Sequence, residues 1–151
     1  MAAVYPPLRK GLTPARAGIA FLAGVIATLV VHQGLWTILH AAGVAPAPPF
    51  PMAATNPLDV PKVWSLAFWG GVWGLPLYAF LRKWFPGGAS YWVAAMLFGA
   101  IAPSLVALFV VLPLHGAPVA GGGNAALIVT ALIVNGGWGL GTAFMIRALA
   151  R

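Results

Sequence analysis

The chain has 151 residues, of which 62% are hydrophobic and 6% charged, with no cysteine and a formal net charge of +7. A soluble domain carries roughly a quarter charged residues, and eight Lys or Arg with one acid are too few to coat a water-soluble globule. This excludes a soluble enzyme, a nucleic-acid-binding domain and a disordered tail, and leaves one integral membrane domain. The absence of cysteine excludes disulfide frameworks, thiolate metal sites, iron–sulfur clusters and thiol nucleophiles.

Four apolar stretches come near or exceed the ~20 residues that a ~30 Å hydrocarbon core requires: 17–42, 63–81, 91–112 and 125–146. Backbone groups in lipid must bond within their own segment, so these are expected to be helices. The first is longer than the ~7–15-residue apolar core of a signal peptide and is read as a retained helix. With four crossings, Arg9, Lys10, Arg16, Arg82, Lys83, Arg147 and Arg151 fall on one side, and Lys62, close to Asp59, on the other. That asymmetry predicts a multi-pass protein with both termini cytoplasmic. The Ala, Gly, Pro and Arg bias points to a bacterial source, hence the inner membrane. Trp84 and Trp92 suit the inner aromatic belt, Trp36 and Trp64 the outer one.

The two halves repeat. Leu39-His40-Ala41-Ala42-Gly43-Val44-Ala45 matches Leu114-His115-Gly116-Ala117-Pro118-Val119-Ala120, and extending it backwards pairs Leu22 with Leu97, Gly24 with Gly99 and Val31 with Val106. Trp73-Gly74-Leu75, closed by Arg82, matches Trp138-Gly139-Leu140, closed at the same distance by Arg147. The expected fold is therefore all-α and integral to the membrane: four transmembrane helices as two tandem parallel-repeat hairpins, about 15–83 and about 90–148. A pseudo-twofold axis along the membrane normal would relate them. Asp59 aligns with Asn124, and both suit a cap at the start of the returning helix.

Ala20-x-x-x-Gly24 and Ala95-x-x-x-Gly99 are equivalent small-residue pairs that let backbones approach, and they predict a crossing of helices one and three near the pseudo-axis. Helices two and four carry Gly70, Gly71 and Gly74, and Gly136, Gly137, Gly139 and Gly141. So many glycines cost helix propensity and imply close packing against a helix, another subunit or a flat ligand. Pro76, Pro103 and Pro113 are expected to kink their helices.

Chemistry-bearing side chains are few. At 1.5 Å per residue from Arg16, His32 lies about 24 Å and His40 about 36 Å along the first helix, with His115 at the level of His40. His40 and His115 on separate helices are candidate ligands for haem iron or another metal ion, against the reading that each ends its helix on water or a loop carbonyl. His32, Gln33 and Asn135 are the strongly polar groups deep in the spans, candidates for interhelical hydrogen bonds or a solute path. Trp73 and Trp138, about 13 Å above their closing arginines, form with Trp69 an aromatic face that could wall an apolar cavity or fill space beside glycine. The outer loop 43–61, charged only at Asp59, carries six prolines, five of them (Pro46, Pro48, Pro49, Pro51 and Pro57) on either side of Phe50 and Met52, which favours an extended path along the membrane surface or a partner.

The leading functional expectation is a non-enzymatic accessory, assembly or stabilising subunit of a larger bacterial inner-membrane complex, acting through helix packing and the outer loop. Its partners would be the lipid bilayer and other integral membrane subunits, or further copies of itself in a homo-oligomer, with no nucleic acid and no required cofactor. The alternatives are a small oligomeric transporter or channel, and a haem-, metal- or pigment-binding protein using the paired histidines.

Overall fold

The computed structural model describes residue 11 and residues 13–149, so Arg9, Lys10 and Arg151 lie outside the described residues. The chain forms long helices α1 (Pro14–Ala41), α2 (Lys62–Trp84), α3 (Gly88–Leu114) and α4 (Ala125–Leu149). A two-residue strand pair, β1 (Ala54–Thr55) and β2 (Val60–Pro61), lies in the first long loop. Three helices, α1, α3 and α4, are long and apolar enough to cross a membrane. The 23 residues of α2 have the length, but glycine, tryptophan, serine and proline dilute their apolar character.

The helix ends follow from local chemistry. Thr13 accepts from the Arg16 amide at 3.3 Å, and Pro14 takes the first helical position, where a missing N–H costs nothing. At the other end of α1, Gly43 adopts φ +73° and the Val44 amide reaches back to the Leu39 carbonyl, a left-handed termination that glycine permits at little cost. Both α1 and α3 contain a wide π turn in their later halves, at Thr28–His32 and Ala107–Val111; the second begins four residues after Pro103.

The expected pair of caps is half realised. Asn124 Oδ1 accepts from the Leu127 amide at 3.1 Å and caps α4. Asp59 does not cap α2. It sits in the turn between the strands at φ +53°, its amide donating to Thr55 O, and extended Pro61 carries the chain into the helix with no side-chain bond. The free amides at the start of α2 are met instead by the strand region: Lys62 N donates to Ala53 O and Val63 N to Pro51 O, both at 2.9 Å.

Packing is organised by glycine. In the first hairpin, Gly24 of α1 faces the carbonyl of Gly70 and the Cα of Gly71, and Gly74 of α2 faces the Ala20 carbonyl. In the second, Gly99 of α3 faces the carbonyl of Asn135 and the Cα of Gly139, while Gly139 faces the Ala95 carbonyl. A β-carbon at Gly24, Gly74, Gly99 or Gly139 would collide with facing backbone. The small-residue pairs thus close each hairpin upon itself, and the expected crossing of helices one and three through them does not occur. The returning helices carry the complementary glycines, so each pair is already occupied.

Of the other glycines of α4, Gly136 meets Ala100 and Met96 of α3, while Gly137 and Gly141 receive α1. Gly137 lies under Leu35, and Gly141 under Val31 and Ala27. Helix α4 therefore contacts α3 with one face and α1 with another, which accounts for its glycine content. The core lies where these helices meet: Leu77, Leu81, Tyr91, Ala95, Trp138 and Ala143 in one cluster, and Ala20, Ala23, Tyr78 and Ile146 in a second.

Candidate functional site

At the far end of α1, three side chains of the helix organise the loop that follows it. Gln33, Trp36 and His40 stand three and four residues apart and so share a helix face. Gln33 is 1% exposed; its Oε1 accepts from the Phe50 amide at 2.7 Å, and its Nε2 lies 3.4 Å from His32 Nδ1. The Trp36 indole N–H donates to Ala47 O at 2.7 Å, and His40 Nδ1 meets Ala45 O at 3.1 Å. The His32 ring stacks on Trp36 with centroids 5.9 Å apart.

Proline supplies no amide to saturate these loop carbonyls internally, so side chains of the adjacent helix do it. The result is a proline-rich segment held against α1 and then turned by β1 and β2 into α2. It presents apolar groups outward: Met52 is 65% and Leu58 79% exposed, and Phe50 is half exposed. Spacing along the helix opposite a proline-rich loop was the available signal for Trp36 as a tether. An aromatic-belt role accounted for that residue without the loop and so hid it.

The histidine pair does not form a common centre here. His115 Nδ1 meets Val111 O at 2.8 Å in its own helix, as His40 meets its own loop, and both residues are exposed. Among the described residues no group of three His, Asp or Glu side chains gathers to hold a metal. Asn135 acts between helices: its Nδ2 donates to Ser104 Oγ at 3.0 Å, and that hydroxyl donates to Ala131 O at 3.2 Å.

The three tryptophans do not make one wall. Trp138 is buried and donates its indole N–H to Gly24 O at 3.1 Å. Trp73 meets Phe98 edge to face at 6.2 Å, and Trp69 is exposed beside Phe68. The spacing of 69 and 73 put them on one side of α2, but Trp73 packs against the core while Trp69 faces outward.

At the opposite end of the bundle, the Arg147 guanidinium lies 3.9 Å over the Tyr91 ring and donates to Pro86 O at 3.0 Å. The Tyr91 hydroxyl donates to Ala143 O at 2.9 Å. This knot ties the end of α4 to the start of α3, and the sequence reading missed it.

Chemically, these sites position backbone. The hydrogen bonds of the loop tether end on loop carbonyls or an amide. Comparison with protein-family models, with curated proteins and with solved structures finds no match.

Proposed function

We propose that the protein is a non-enzymatic accessory or stabilising subunit of a larger bacterial inner-membrane assembly, docking through the outer loop. The observation that carries this reading is the tethered loop: Gln33, Trp36 and His40 hold residues 45–50 in place while Phe50, Met52 and Leu58 are directed away from the chain. An apolar surface held in a fixed geometry loses little conformational entropy on docking, which favours association. The polar groups deep in the helices support the same reading, since Gln33, Ser104 and Asn135 are engaged in internal hydrogen bonds.

The proposal includes four crossings, two parallel hairpins and cytoplasmic termini. Supporting it are the described basic residues Arg16, Arg82, Lys83 and Arg147 at one end of the helices and the equivalent backbone contacts of Gly24 with Gly70 and of Gly99 with Asn135. The test is gentle detergent extraction from native membranes followed by native electrophoresis. Co-migration with larger hydrophobic subunits, lost on Met52→Asp with Leu58→Asp, is the expected result. Migration only as monomer or homo-oligomer would overturn it. Reporter fusions at both termini test the topology, and a periplasmic signal from either would refute it.

A further inference from the structure

The two seams between the hairpins are unlike. Where α1 meets α4, Gly137 and Gly141 admit Leu35 and Val31, and Trp138 bonds to Gly24; that seam is closed. The alignment pairing Trp73 with Trp138 also pairs Val72 with Gly137 and Pro76 with Gly141, and the alignment of the outgoing helices pairs Phe98 with Ala23. Bulk therefore replaces glycine and alanine along the seam between α2 and α3. There an open groove of about 280 Å³ is lined by Phe80, Phe85, Ala94, Phe98, Ile101 and Ala102. From Ala94 to Ala102 it runs about 12 Å along α3.

We propose that this groove holds an acyl chain of an anionic phospholipid, with the headgroup phosphate met by Lys83. The lining carries no polar side chain, so a ligand with a hydrogen-bonding head inside the groove would lose its partners, whereas an acyl chain has none to lose. The polar end must then sit at the mouth. Phe80 and Phe85 close the α2 end of the groove; Phe80 is 5.4 Å from Trp84, and the Lys83 ammonium stands 4.3 Å over that Trp84 ring. Among the described residues, Lys83 has no carboxylate within reach. The single acidic side chain, Asp59, precedes the far end of α2, about 35 Å away along a 23-residue helix. An anion from the membrane complements it, in the cytoplasmic leaflet under the proposed orientation. The site is independent of the outer loop and of any protein partner.

The test uses the full chain in detergent with equimolar phosphatidylglycerol and phosphatidylcholine of identical acyl chains, read by native mass spectrometry. The expected result is preferential retention of phosphatidylglycerol by about fivefold, the worth of one lysine near an anionic surface, with the preference abolished in Lys83→Gln, a substitution at an exposed residue. Phosphatidylglycerol carrying a photoactivatable acyl chain should label residues 94–102. Equal retention of both lipids, a preference unchanged in Lys83→Gln, or labelling confined to other segments would each overturn the proposal. So would a groove found occupied by a quinone or a protein helix after native extraction.

Discussion

The indole N–H of Trp138 donates to the carbonyl of Gly24 at 3.1 Å, joining the last helix to the first across the whole length of the chain. That carbonyl also accepts from Thr28 Oγ1 at 2.8 Å. Losing the indole donor therefore leaves it bonded, and the ring's volume outweighs its hydrogen bond. Trp138→Phe is expected to cost about 1 kcal/mol, within the range of interhelical hydrogen bonds in membranes. Trp138→Ala should cost about 3–5 kcal/mol, as for other large-to-small changes in packed cores. Denaturation in mixed micelles would show the difference; equal costs for the two variants would contradict this account.

Glycines in the same helix should respond with opposite signs. Gly24→Ala places a methyl group on the Gly70 carbonyl and should destabilise by about 1–3 kcal/mol through overpacking, as should Gly99→Ala against Asn135. A β-carbon at Gly34, also in α1, meets nothing within 4 Å. Gly34→Ala should then stabilise by about 0.5–1 kcal/mol through backbone entropy alone. Destabilisation of all three alike would show that the packing described is wrong.

Gln33 Oε1 accepts the Phe50 amide at 2.7 Å. Gln33→Met keeps the bulk and removes the acceptor, leaving a part-buried donor unpaired at a cost of about 1–3 kcal/mol. The loop should loosen before the helices do. Hydrogen exchange at residues 45–50 should accelerate by tenfold or more, with α3 and α4 unchanged; exchange in the loop that does not alter would dissociate Gln33 from its folding.

Asn135 and Ser104 form a short chain ending on Ala131 O. Asn135→Ala and Ser104→Ala should each cost about 0.6–1.7 kcal/mol, the measured span for such bonds in a membrane bundle. Because they share one bond, the double variant should cost less than the sum of the two singles. Additive effects would mean that the two side chains do not communicate.

Much of the helix layout was legible in the residues. The four long helices extend one to three residues beyond the expected apolar stretches at most ends, because composition dictates which segments can leave water, while capping decides where they stop. Asn124 was readable as a cap because its side chain needs only its own next three residues. Asp59 was not, because two loop carbonyls (those of Pro51 and Ala53) meet the first amides of the helix from elsewhere in the loop. Gly24 and Gly99 were legible as close-packing positions, but not their partners: a small residue states that a backbone approaches, without saying which.

Sequence alone determined that this chain belongs in lipid and where its long helices lie. These properties are local or additive, each set by residue type and spacing. Tertiary structure decided that the hairpins close on their own glycines, that Gln33 anchors Phe50, that Arg147 covers Tyr91, and that one seam is sealed while the other stands open. Each depends on which of several sterically similar surfaces meet, a choice made by the shapes of side chains far apart in the chain and invisible to periodicity.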